Sequence, residues 1–125
     1  MYVGMPAAMY LHEFGSQVYF VFNDFPHLVG SALTTKQWRD IDVRLILFDD
    51  EYAKWGLGDP KYPQHNGKWV SLCKAYSALA KHMTGLPVDF QIQQMTLANK
   101  EFAKQPRSAL GFVPLRMIAE ERASK

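Results

Sequence analysis

The sequence predicts an α/β fold of the α+β kind, a small mixed sheet with flanking helices. Three observations predict it. A mostly apolar run from Val43 to Phe48 reads as a buried strand. Trp69, Leu72, Cys73, Tyr76, Leu79, Ala80 and Met83 recur at three- and four-residue spacing, the signature of an amphipathic helix. Val88 to Gln93 then alternates with period two, as a half-buried strand does. Helical and strand periods interleaved along one chain call for packed layers of both.

The elements follow in order. Ala7, Leu11, Phe14, Val18 and Val21 form a helical stripe over residues 6–22, with Pro6 suited to the first turn. Its end, Val18 to Phe22, is rich in strand formers, so helix and strand compete there. Asn23-Asp24-Phe25-Pro26 breaks the pattern. His27-Leu28-Val29 reads as a short strand ending at Gly30. Thr34 or Thr35 suits the cap of a helical turn through Trp38. The second strand is expected from Asp40 to about Phe48. Asp49-Asp50-Glu51 then opens a helix, where carboxylates favour the positive end of the dipole.

Residues 56–68 are rich in Gly, Pro and polar side chains, a long loop of the kind that is either functional or mobile. The helix carrying Trp69 to Met83 stops at Gly85, with Pro87 barring extension. The strand from Val88 to Gln93 places Val88, Phe90 and Ile92 on its apolar face and Asp89, Gln91 and Gln93 on the other. A short helix from Thr96 to Lys104 is stopped by Pro106, and another is expected from Leu115 to Arg122. With 125 residues the chain reads as one domain, 1–125, long enough to bury a core without staples.

Composition narrows the function classes. Hydrophobic residues are 48% and charged residues 21%, which excludes a disordered chain. The net charge of +2 comes from mixed signs, so charge neither proposes nor excludes a nucleic-acid partner. No apolar run is long enough for a membrane span, and no secretory leader pattern opens the sequence. The single cysteine, Cys73, suits a reducing compartment, and the chain reads as cytoplasmic. Cys73 falls on the apolar face of its helix, as a buried, inert thiol does. His12, His27, His65 and His82 lack paired zinc spacing. No Walker-type loop or nucleophile elbow is present.

What remains is a set of aspartates. Asp40, Asp42 and Arg44 share one face of the expected second strand, opposite Ile41, Val43 and Leu45. Carboxylates roughly 6.5 to 7 Å apart along a strand repel unless a cation or water separates them. Asp89 heads a polar face on a later strand. If the two strands are neighbours, three carboxylates meet on one sheet face. Such hard oxygen donors suit Mg²⁺, which keeps coordination positions for water and substrate phosphates.

Leu28-Val29-Gly30-Ser31, Asp40-Ile41-Asp42-Val43 and Val88-Asp89-Phe90, in that order, resemble the motifs of the DNA polymerase beta-like nucleotidyltransferase superfamily. The resemblance covers about residues 25–95, with helical extensions on either side. It implies a nucleotidyltransferase-like fold and a metal-dependent transfer of a nucleoside monophosphate from a nucleoside triphosphate to an acceptor hydroxyl. By position it makes Asp40, Asp42 and Asp89 both catalytic and metal-binding, with Mg²⁺ or Mn²⁺ as the ion. Gly30 and Ser31 would hold phosphate. Lys36 and Arg39 flank the turn and are candidates for the triphosphate or for plain solvation. Arg44 is a candidate for a phosphate contact or for an ion pair with Asp42.

The acceptor, whether protein, nucleic acid or small molecule, is left open. An alternative is a catalytically inactive nucleotide-binding or partner-binding module on the same fold, antitoxin-like in working beside a partner protein. The eight residues between Ser31 and Asp40 make a short turn and favour that alternative. An exposed sheet edge would admit a homodimer or a protein partner. Trp38, Trp55 and Trp69 suit either core or pocket.

Overall fold

The computed structural model describes residues 1–112. The expected helix Leu115–Arg122 lies outside the described residues. Over the described residues the fold is mixed α/β, five α-helices and one short 3₁₀ helix (Pro63–His65) around a four-stranded sheet. The helices are α1 (Ala7–Phe22), α2 (Ser31–Thr34), α3 (Asp49–Lys54), α4 (Gly67–Thr84) and α5 (Met95–Glu101). The strands are β1 (His27–Val29), β2 (Ile41–Leu47), β3 (Val88–Gln94) and β4 (Ser108–Ala109), in the order β3-β2-β1-β4. β1 runs antiparallel to both β2 and β4, whereas β2 and β3 are parallel, joined through α3, the loop and α4.

The competition between helix and strand at Val18–Phe22 resolves as helix. Leu11, Phe14, Val18 and Phe22 all bury on one side of α1, and a strand would split them between two faces. Asn23 ends the helix in the left-handed conformation, its amide donating to Tyr19 O at 2.7 Å. The core lies between the α1–α4 layer and the apolar face of the sheet. Phe14 meets Phe90 edge-on at 5.8 Å, and Tyr76 of α4 packs on both rings. Val43, Leu45, Phe90 and Ile92 supply the sheet side, each at most 1% exposed.

Several boundaries differ from expectation. The helical turn after β1 is Ser31–Thr34, starting directly at Gly30 rather than running from Thr34 to Trp38. Thr35 instead closes a local turn, its Oγ1 accepting from the Gln37 amide at 3.2 Å. β2 begins at Ile41, so Asp40 stands just before the strand. The helix after β3 closes at Glu101, ahead of Lys104. β4 is two residues long and was not anticipated, since a pair of residues carries no readable period.

The loop of residues 56–66 is ordered by its own contacts. Asn66 caps α4 through the Trp69 amide at 2.9 Å and reaches back to Gly56 O at 3.1 Å. Leu57 is fully buried beneath the loop.

The β3 edge is covered by one stripe of α4. Ser77 Oγ accepts from the Phe90 amide at 2.9 Å and donates to Phe90 O at 3.4 Å. Trp69 Nε1 donates to Ile92 O at 2.8 Å, and the Ile92 amide faces the Cys73 sulfur. Residues 69, 73 and 77 rise about 6 Å apart along a helix, close to the roughly 6.6 Å between alternate strand residues. The two periods match, and the edge groups of Phe90 and Ile92 are taken.

Candidate carboxylate site

The site grows from the start of β2. Val29 pairs with Asp42 across β1–β2, and Asp42 pairs with Asp89 across β2–β3. Because Ile41, Val43, Phe90 and Val88 face the core, the intervening Asp42 and Asp89 face away from it. The two carboxylates therefore lie side by side on the outer face of the sheet, as the alternation of both strands requires.

Gly30 fixes the third side. Its φ of +75° and ψ of −157° belong to a region open essentially to glycine alone. A Cβ there would stand 2.6 Å from Asp42 Oδ2, so the backbone of the Gly-Ser turn meets the carboxylate directly. Ser31 follows as the exposed first residue of α2.

Arg44 lies between the two aspartates. Its Nη2 is 3.2 Å from Asp89 Oδ2 and 3.8 Å from Asp42 Oδ1. Nη1 donates to Asp89 O at 2.7 Å and to Val43 O at 3.1 Å. The Arg44 side chain is 14% exposed and its guanidinium is held on two backbone carbonyls, so it is a fixed part of the site. The ion pair expected of Arg44 with Asp42 is formed, and it includes Asp89 as well. Gln91, two residues on along the same face, donates to Asp89 Oδ2 at 3.4 Å.

Burial raises the Asp42 carboxyl above the ordinary aspartate value. Arg44 opposes the shift, and the nearby charges of Asp89 and Asp40 add to it. Three carboxylates thus act on one another with a single guanidinium among them. Asp40, set before the strand, joins the pair only through its field. Among the described residues no three His, Cys, Asp or Glu side chains converge into a ready-made metal-ligand cluster. Asp40 instead borders a shallow surface depression with Asp89, Ser77 and Lys81. Lys36 and Arg39 are exposed and form no ion pair among the described residues.

Trp38, Trp55 and Trp69 pack half-buried against the core, and Trp69 also lines a cleft beside Gln91. Burial pushes the Cys73 thiol up to about 11, where it is not a nucleophile at neutral pH. Sequence reasoning missed Ser77, Lys81 and Gln91. Gln91 was readable, since it shares the polar face of Asp89; Ser77 and Lys81 depend on how α4 lies along β3.

No protein-family model, curated protein or solved structure matches this chain.

Proposed function

We propose that the chain is a metal-dependent nucleotidyltransferase, moving a nucleoside monophosphate from a nucleoside triphosphate to an acceptor hydroxyl. The observation that supports this reading best is the in-register pair Asp42 and Asp89 on adjacent parallel strands, with Asp42 against the Gly30 backbone. The donor set suits Mg²⁺. Its atoms are hard carboxylate oxygens, and three carboxylates against one guanidinium leave two negative charges, the complement of a divalent ion. Asp42 and Asp89 would hold Mg²⁺ or Mn²⁺, with Asp40 adding charge beside them. When bound, the ion supplies charge neutralisation at the reacting phosphate.

In the transfer itself the acceptor oxygen bonds to the α-phosphorus. The bond from that phosphorus to the α–β bridging oxygen breaks, and pyrophosphate leaves with its electron pair. The acceptor's proton passes to a carboxylate, for which Asp89, the more exposed of the pair, is the candidate base. Gly30 and Ser31 would bring backbone to the phosphates, and Lys36 and Arg39, exposed beside the turn, would close on the triphosphate.

Arg44 favours one second reading. A guanidinium anchored on both aspartates already neutralises part of the site, as suits an inactive nucleotide-binding or partner-binding module. The two readings separate on one experiment. Titration with Mg²⁺ or Mn²⁺ and a non-hydrolysable triphosphate, then a pyrophosphate-release assay, gives binding and turnover for the transferase. The module gives at most binding. Absence of metal-dependent binding, or binding untouched by Asp42→Asn with Asp89→Asn, overturns the transferase.

A further inference from the structure

Three depressions that share lining residues follow one another along β3 and together form a trench. One depression holds Asp40, Ser77, Lys81 and Asp89; the next shares Ser77 and Asp89 with it and adds Lys74 and Gln91. A third, a cleft of about 240 Å³ under the loop, shares Trp69 and Gln91 with the second and ends at Gln94 and Phe102. The trench follows β3 from Val88 to Gln94, about 20 Å at the rise of a strand. The proposed reacting carboxylate, Asp89, lines the first two depressions and so lies toward one end of the trench.

The wall formed by α4 has one sign of charge. The helix carries Lys68, Lys74, Lys81 and His82 and no Asp or Glu. Lys68 is placed over the Trp55 ring, but Lys74 and Lys81 stand exposed at the trench, two turns and about 10 Å apart. The far cleft offers what a nucleobase uses: the half-buried indole of Trp69, the Phe102 ring and glutamine amides. Its acids are Asp89 and Asp40, at the reacting end, and Glu101 at the far end.

A peptide strand is a poor occupant. Adding a strand needs free edge amides and carbonyls, and those of Phe90 and Ile92 are already bonded to Ser77, Cys73 and Trp69. A small acceptor would occupy one end and leave the lysines unused.

We infer that the trench binds a single-stranded nucleic acid, phosphates on Lys74 and Lys81 and a base in the Trp69 cleft. This rests on the transferase reading for its consequence: the strand's terminal hydroxyl at Asp89 would be the acceptor, leaving the strand one nucleotide longer. The binding itself needs neither metal nor triphosphate.

The test is fluorescence anisotropy of the full chain with labelled oligouridylate and oligothymidylate, in chelator, across a salt series. Both strands are expected to bind, because the phosphodiester is common to them; binding by one alone identifies the natural strand. The exposed double variant Lys74→Gln, Lys81→Gln should weaken affinity about tenfold or more at low salt. It should also lower the slope of log affinity against log salt by roughly one to two, up to one phosphate contact per lysine. The matched variant Lys54→Gln, Lys100→Gln should leave both unchanged. Trp69→Phe, which keeps a ring, should weaken binding without altering the slope. Failure of both oligonucleotides to bind, or loss that is equal in the two lysine variants, overturns the inference. Triphosphate binding measured separately keeps the two claims apart. A chain that binds oligonucleotide but no triphosphate retains the trench and loses the transferase, and the converse loses only the trench.

Discussion

Gly30 and Asp42 are in contact so close that a side chain on one excludes the present position of the other: a Cβ on Gly30 would stand 2.6 Å from Asp42 Oδ2. The turn and the carboxylate are thus one unit, although twelve positions separate them in the chain. Gly30→Ala meets both a clash and a backbone conformation foreign to alanine. The strain alone is worth about 1–3 kcal/mol. The expected outcome is lower stability by that order in urea denaturation, together with loss of metal-dependent triphosphate binding. A variant that lost stability but bound triphosphate normally would separate the turn from the site.

Asp42 gives a pH-dependent prediction. Its carboxyl is raised in the folded protein, chiefly by burial, relative to about 3.9 in an unfolded chain. The folded state therefore holds this proton more tightly. Above the folded value the ionised side chain weighs against folding in full; as pH falls through that value toward the unfolded one, the penalty fades. Asp42→Asn should raise the melting temperature at pH 7 in chelator, and the gain should vanish below about pH 3.9. A gain that persists at low pH would assign it to packing rather than charge.

Arg44→Gln tests how the site is held when no divalent ion is present. The change removes the guanidinium from two carboxylates and from the carbonyls of Val43 and Asp89. Each acceptor left without a partner costs about 1–3 kcal/mol, less where water reaches it. The variant should melt lower in chelator, and millimolar Mg²⁺ should recover more stability in it than in the parent chain, since both cations act on the same charges. Equal Mg²⁺ effects on the two proteins would place the ion elsewhere.

These residues also mark what the sequence made legible. The pairing of Asp42 with Asp89 followed from two alternating strands, because period two fixes the face and only adjacency was left to find. The Gly30 turn was readable as a turn, but its contact with Asp42 depends on β1 folding antiparallel onto β2. Asp40 was expected as the first residue of the strand and stands just before it, since the alternation that placed it begins one residue later, at Ile41. The clamp by Arg44 on Asp89 joins neighbouring strands across the register, which no local pattern carries. The helix Ala7–Phe22, expected as an extension, supplies Leu11, Phe14, Val18 and Phe22 to the core because the two-sided sheet needs a cover on its apolar face.

Ser77 tests the covering of the β3 edge. Its hydroxyl is the partner of both the amide and the carbonyl of Phe90, so Ser77→Val keeps the volume and removes both bonds. The unmet amide should cost about 1–3 kcal/mol in urea denaturation. An edge with free groups is also a template for another strand. The variant should therefore show concentration-dependent association in sedimentation velocity where the parent chain shows less. Ser71→Val, on the exposed side of the same helix, controls for the loss of a serine and the gain of a β-branched residue. Association in both variants would trace it to added apolar surface; association in the Ser77 variant alone would trace it to the opened edge. Because the same edge forms the floor of the trench, the Ser77 variant should also lose oligonucleotide affinity while its lysines remain in place.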